Sequence, residues 1–108
     1  MKQWQVYFAN LDPVVGAEQA GDRPVVIVSS PLHLRLMGGR LLSVLPMTTS
    51  MRPWPHRVAL AIRGQSGQIM TEQVRTIARE RIRSVRPIYE LTEDEIDQVT
   101  TILQSLLP

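Results

Sequence analysis

The stretch Leu11-Asp12-Pro13-Val14-Val15-Gly16-Ala17-Glu18-Gln19-Ala20-Gly21-Asp22-Arg23-Pro24-Val25-Val26-Ile27-Val28-Ser29 joins a polar loop to an apolar run. The loop holds a proline turn, two glycines, a carboxylate, an amide and an arginine. Pro24 to Ser29 is a continuous run of strand length, rich in valine and isoleucine, and predicts a strand buried on both faces. A loop of this make-up feeding a buried strand fixes polar groups on a rigid edge, which suits binding or catalysis. Gly16 and Gly21 are available there for positive φ.

Outward from this run the pattern stays mainly β. Val6 to Leu11 reads as a strand closed by the turn pair Asp12-Pro13. Pro31 to Met37 reads as a short helix with proline at its first position, stopped by Gly38-Gly39. Leu41 to Pro46 is a further apolar strand, ending at the polar corner Thr48-Thr49-Ser50. Met51 to His56 carries two prolines, which excludes a central strand. Val58 to Ile62 reads as a strand and Gly64 to Gly67 as a tight hairpin connection. Ile69 to Ile77 alternates, with Met70, Glu72, Val74 and Thr76 on one face and Thr71, Gln73 and Arg75 on the other. A helical turn over Ala78 to Ile82 and a short strand over Val85 to Leu91, broken by Pro87, complete the β part. Thr92-Glu93-Asp94-Glu95 is a capping box, and behind it Ile96, Val99, Leu103 and Leu106 share one helical face, with Ile102 and Leu107 beside it. The pattern predicts a small barrel or strongly bent sheet packed on one C-terminal helix.

At 108 residues and 44% hydrophobic content, the chain suffices for one globular core and is too apolar for a disordered segment. It has no cysteine, so neither disulfides nor thiolate metal sites can hold it together. No signal peptide or membrane span is apparent, and the expected location is the cytoplasm. Charge is unevenly placed. Arg52 to Arg86 carries eight arginines against Glu72 and Glu80, while Pro87 to Pro108 carries five acids and no base. Arginine is the side chain that forks onto phosphate, so the middle of the chain reads either as a polyanion-facing surface or as a solvated face balanced by an acidic helix.

Most enzyme signatures are missing. His33 and His56 stand in no metal-ligand spacing with another His or Cys, and each reads as a packing or surface residue. Gly16 to Gly21 opens a strand, not a helix, so dinucleotide and P-loop mechanics do not apply. No Gly-x-Ser-x-Gly elbow occurs.

Leu11-Asp12-Pro13 followed by Gly16-Ala17-Glu18-Gln19-Ala20-Gly21-Asp22-Arg23-Pro24-Val25 resembles the motif of the MazF/PemK toxin endoribonucleases. Further matches follow in order: Pro46-Met47-Thr48-Thr49-Ser50, Met51 to Val58 with its prolines, Glu72-Gln73-Val74-Arg75-Thr76-Ile77, and Glu80-Arg81-Ile82 before the closing helix. The resemblance spans essentially the whole of residues 1–108, read as one toxin domain. It implies an SH3-like β-barrel of the CcdB/PemK type with a C-terminal amphipathic helix, acting as a homodimer. It further implies metal-independent cleavage of single-stranded RNA, leaving a cyclic phosphate and a 5′-hydroxyl, and silencing by a cognate antitoxin. No cofactor is implied.

Such cleavage needs the 2′-hydroxyl deprotonated, the phosphorane charge stabilised and the leaving 5′-oxygen protonated. With the motif, Arg23 is the expected phosphate-binding catalytic cation; its alternative is a loop ion pair with Asp22 or Glu18. It stays protonated and is no base. Thr48 is the expected second catalytic group, its alternative a turn hydroxyl capping a backbone amide. Glu18 and Gln19 are supporting candidates, Glu18 offering base chemistry or a tie to the loop backbone. Thr49, Ser50, Arg52, Gln73 and Arg75 are candidate RNA contacts. Trp54 stands as either a base-stacking platform or a packing plug.

The chain departs from the family pattern where Arg-Gly-Asp before the first strand becomes Gln3-Trp4-Gln5, and where the serine after the first glycine becomes Ala17. Two other readings remain at this stage. A non-catalytic CcdB-like toxin acting on a protein such as gyrase would use an aromatic C-terminal end, against which Ser105-Leu106-Leu107-Pro108 argues. An SH3-like interaction domain would be favoured by Arg23 buried in a structural ion pair.

Overall fold

The computed structural model describes residues 1–11 and 22–106. Seven strands and two α-helices follow in order: β1 (Gln5–Ala9), β2 (Arg23–Ile27), α1 (Pro31–Leu36), β3 (Leu41–Thr48), β4 (Arg57–Ile62), β5 (Gln65–Met70), β6 (Arg75–Ala78), β7 (Tyr89–Glu90) and α2 (Glu93–Leu106). Single 3₁₀ turns lie at Thr71–Gln73 and Arg79–Arg81. The sheet is antiparallel in the order β4-β5-β3-β2-β1-β7, with β6 added beside β3. It bends into a nearly closed barrel, as expected for the SH3-like class.

The bend follows from β3. Its first half, Leu41 to Val44, pairs with β6, whereas Met47 and Thr48 pair with β5. On its other edge it pairs with β2 throughout Val44 to Pro46. Strands β1, β2 and β3 bury side chains on both faces. One core gathers Val6, Val26, Leu45, Met47, Val58, Leu60, Ile62, Ile69, Leu91 and Val99. The other gathers Tyr7, Ala9, Val25, Ile27, Leu42, Val44 and Ile77. Val25, Val26 and Ile27 are fully buried, so the two-faced burial expected of this run holds.

The terminal helix starts as its sequence dictates. The Thr92 hydroxyl accepts the Glu95 amide at 3.2 Å, and the Glu95 carboxylate accepts the Thr92 amide at 2.9 Å. Acids in its first turn complement the helix dipole. Val99 is fully buried, with Ile96, Ile102 and Leu103 packed beside it. Leu106, expected on that face, is half exposed because it lies beyond the sheet's cover; Leu107 lies outside the described residues. Helix α1 begins at the Ser30 cap, with Pro31 as its first residue, and ends before Gly38 and Gly39, both at positive φ.

Three expectations are corrected. The β4–β5 turn is Arg63-Gly64, not Gly64 to Gly67; both turn residues have positive φ, as a type I′ turn requires, and Gln65 onward is already strand. The alternation over Ile69 to Ile77 is not one strand. It is interrupted by the 3₁₀ turn at Thr71–Gln73, and Thr71, grouped with Gln73 and Arg75, is buried where they are exposed, its hydroxyl donating to the His56 carbonyl. Over Val85 to Leu91 only Tyr89–Glu90 is strand. Asp12-Pro13, Gly16 and Gly21 lie outside the described residues.

Truncating Leu45, buried in β3 against the helix-side core, should lower stability by about 2–5 kcal/mol. Leu106→Ala should stay within ~0.5 kcal/mol of the parent. Urea unfolding of the two variants measures the contrast.

Candidate active site

Arg23 opens β2 and Thr48 closes β3. The β2–β3 ladder pairs Ile27 with Val44, Val26 with Leu45 and Val25 with Pro46. The ladder ends there, and Arg23 and Thr48 lie two residues beyond it at the same end of the two strands. Twenty-five positions of sequence separation are thereby removed by one strand pairing. Both residues line a cleft of about 370 Å³ together with Thr49 and Asp22. Phe8, Pro24, Met47, Ile62 and Ile88 form its apolar lining, and Arg63, Gln65, Ser66 and Gly67 of the β4–β5 hairpin supply a further side.

Arg23 is exposed, and among the described residues it has neither an ion-pair nor a side-chain hydrogen-bond partner. No described carboxylate therefore occupies its guanidinium. The Thr48 Oγ1 accepts the Ser50 amide at 3.0 Å, which orients the hydroxyl while leaving its own proton to donate. The turn-capping alternative and a donor role are therefore compatible. Gly67 lets β5 pass close to this corner: a Cβ there would sit 3.0 Å from the Thr48 carbonyl oxygen.

Beside the cleft stands a second cluster built on the proline-containing segment. Thr48 pairs with Gln68 across β3 and β5. Gln68 in turn clamps the Arg52 backbone, its oxygen accepting the Arg52 amide at 3.0 Å and its nitrogen donating to the Arg52 carbonyl at 2.9 Å. The Trp54 carbonyl accepts the Arg57 amide at 3.2 Å. Trp54 is 43% exposed; the Arg57 guanidinium lies 4.5 Å from its ring centroid, the Arg52 guanidinium lies 5.8 Å from it, and the His56 ring stacks at 5.5 Å. The indole is thus exposed and flanked by two guanidinium groups, not enclosed as an interior plug.

Arg57 holds the platform in place. Its Nε and Nη2 donate to the Glu72 carboxylate, the shortest contact being 2.7 Å, and Nη1 donates to Gln68 at 3.3 Å. The Arg57 side chain is almost fully buried. Burial works to raise the Glu72 pKa, but the hydrogen bonds from Arg57 and the backbone, with the nearby Arg57 and His56 charges, outweigh it and hold the carboxyl below its ordinary value.

Of the expected site residues, the fold brings Arg23, Thr48 and Thr49 into one cleft. Ser50 is tied to Thr48 through its amide but does not line the cleft, and Arg52 and Trp54 lie in the neighbouring cluster. Gln73 sits in the 3₁₀ turn after Glu72, and Arg75 pairs with Val44 in β6; neither lines the cleft. Glu18 and Gln19 lie outside the described residues. His33 contacts the Ser29 hydroxyl at 2.8 Å, and no group of His, Asp or Glu suited to a metal ion occurs among the described residues. Sequence reasoning missed Arg63 and the Arg57–Glu72 pair. Gly64 after Arg63 was a signal for the first; the second joins residues fifteen positions apart and has no local signal.

A family model described as "PemK-like, MazF-like toxin of type II toxin-antitoxin system" matches residues 2–107. The chain is 30% identical over 108 residues to the endoribonuclease EndoA of Bacillus subtilis (strain 168), covering 96% of this chain and 91% of that protein. It is 37% identical over 71 residues to the endoribonuclease toxin MazF of Escherichia coli (strain K12), covering 66% and 62%. Its fold superposes on the MazE-MazF structure (Form-II) from Deinococcus radiodurans with a TM-score of 0.79, at 26% identity and coverage of 98% and 94%.

The lowered Glu72 pKa has a defined consequence. A carboxyl with a depressed folded-state pKa stabilises the fold above its unfolded value, and that contribution is lost as pH falls through the folded one. Stability should therefore decline on acidification below the ordinary carboxylate value of 4.5. Glu72→Gln should be less stable at neutral pH and decline less steeply on acidification, as thermal melts from neutral pH downward will show.

Proposed function

The chain belongs to the PemK-like, MazF-like family of type II toxin–antitoxin toxins as an endoribonuclease, and we propose that its cleft cuts single-stranded RNA by internal attack of the 2′-hydroxyl. The products are a 2′,3′-cyclic phosphate and a 5′-hydroxyl, formed without a metal ion. The observation that supports this reading is that Arg23 and Thr48, at neighbouring ends of β2 and β3, line one cleft.

In this reading the RNA lies across the apolar lining with its scissile phosphate at the Arg23–Thr48 corner. As the 2′-hydroxyl gives its proton to solvent water and its oxygen bonds to phosphorus, the phosphorane gains negative charge on its non-bridging oxygens. Arg23 neutralises that charge with a forked pair of N–H donors, and the Thr48 hydroxyl donates to a phosphoryl oxygen. The bond to the 5′-oxygen then breaks, and that oxygen takes up a proton. Glu18 and Gln19 support the site from the segment leading to β2. Thr49 and Ser50 contact the RNA backbone, Trp54 stacks a base beside Arg52, and Gln73 and Arg75 are outlying contacts.

Exposure of Arg23 counts against the plain interaction domain, which required that guanidinium in a structural ion pair. The partners proposed are a second copy of this chain and a cognate antitoxin. The Deinococcus radiodurans relative is a MazE-MazF complex, and an endoribonuclease from a Mycobacterial species is similarly found with its cognate antitoxin. Acidic antitoxin segments would suit the same cations that receive RNA. The proposed place of action is the cytoplasm; no described helix is long and apolar enough to cross a membrane.

Incubation of the protein with mixed single-stranded RNA in chelator should yield cyclic-phosphate ends. Arg23→Ala should slow cleavage by about 10²–10³-fold with little change in melting temperature, since the guanidinium has no ion-pair partner among the described residues. Absence of cleavage, or equal cleavage by the variant, overturns the mechanism.

A further inference from the structure

We infer that Arg63 is a positioning residue that grips a backbone phosphate of the bound RNA one step away from the scissile one. The inference rests on the RNA-cutting reading above and assigns a second anchor within the same cleft.

The argument starts from the backbone. Arg63 has φ 53 and Gly64 φ 82, the pair of left-handed residues on which the two-residue β4–β5 turn depends. Glycine or asparagine fills the first of these positions with less strain than arginine. Only one other described non-glycine residue, Trp4 at φ 73, shares this conformation. Trp4 is compensated: it packs on the helix-side core, its amide donates to the Ile27 carbonyl at 2.7 Å and its carbonyl accepts the Leu91 amide at 3.0 Å. Arg63 is exposed and has no ion-pair or side-chain hydrogen-bond partner among the described residues. Strain without structural return points to the side chain as the reason for the residue.

Its placement supplies the role. Arg63 lines the cleft that holds Arg23 and Thr48. Thr48 pairs with Gln68, and β5 begins at Gln65, so the hairpin tip stands about 10 Å beyond the catalytic corner along the strand. At that offset the guanidinium meets a different phosphate from the one held by Arg23. Two unpaired guanidinium groups on an apolar floor, with Asp22 as the one described carboxylate in the lining, make a two-point clamp for a polyanionic strand. A strand held at two phosphates is bound more tightly than a strand held at one, and in one direction.

Arg63→Asn suits the turn and should melt at or above the parent temperature. The probe is a mixed-sequence single-stranded DNA, which lacks the 2′-hydroxyl and cannot be cut by this mechanism. Binding of that DNA by Arg63→Asn should weaken about tenfold, and the slope of log affinity against log salt should become shallower by about 0.7, the value for one phosphate contact on a single strand. Arg63→Lys should retain the parent slope. On an RNA that the parent cleaves, Arg63→Asn should raise KM while leaving kcat within about twofold. Parent-like affinity and slope in Arg63→Asn overturn the inference, as does weaker binding with an unchanged slope or failure of the parent to show salt-dependent binding. Arg23→Ala run in parallel separates the two claims. If it cleaves normally, the catalytic reading fails while the DNA titration still decides Arg63.

Discussion

The cleft depends on β3 being held by three strands at once. A strand of eight residues paired with β2 on one edge, and with β6 and then β5 on the other, cannot remain flat. Where it passes from β6 to β5 the sheet divides: β4, β5 and α2 enclose one core against one face of β1, β2 and β3, and Ile77 of β6 joins the core on their other face. The end of β3 is left projecting where β2 begins. Arg23 and Thr48 thus meet because Val25, Val26, Leu45 and Val44 are buried in register behind them. A one-residue slip would turn every one of these side chains to the wrong face. Burial of four fully enclosed aliphatic residues, each contributing about 1.5–3 kcal/mol, fixes the strand ends that carry Arg23 and Thr48.

Polar groups perform the same service for the platform. Met51 to His56 cannot join a ladder, and its backbone groups must be satisfied elsewhere. Gln68 takes both polar groups of Arg52, Thr71 donates to the carbonyl of His56, and Arg57 donates to that of Trp54. Gln68 and Thr71 are buried polar residues that look unremarkable in the sequence. Their burial is tolerated because they are hydrogen-bonded to a loop that would otherwise be unsatisfied and, for Gln68, to the Arg57 guanidinium as well. Gln68 also faces Thr48 across the ladder, so platform and catalytic corner share one strand pairing.

This division explains what could be read from the chain alone. The capping box of α2 is legible because its partners lie three residues apart, and the two-faced burial of Val25 to Ile27 because apolar content reports it directly. The family motif pointed to Arg23 and Thr48 but not to the register that joins them, which is a property of three strands. The span from Ile69 to Ile77 misled because a period of two continues by coincidence through a 3₁₀ turn, and nothing local reveals that Thr71 turns inward to a carbonyl fifteen residues earlier. The β4–β5 turn misled for the opposite reason. Glycine favours positive φ, so Gly64 and Gly67 drew the connection to themselves, while the residue under strain was the arginine before them.

The charge pattern of the sequence also changes meaning once folded. Eight arginines between Arg52 and Arg86 suggest a continuous basic surface, yet they do unlike things. Arg57 is buried and neutralised by Glu72, so it adds order and little potential. Arg79 and Arg83 line a different cavity beside Tyr7, and Arg75 lies on β6 away from the cleft. Arg63 alone of the eight lines the cleft, where it joins Arg23, which comes from outside that run. A phosphate responds to charges within a Debye length and far more strongly to those above an apolar floor, where solvent screening is weak. Two cations in one cleft, neither ion-paired among the described residues, therefore say more about where a polyanion would bind than a net excess of six spread along thirty-five residues.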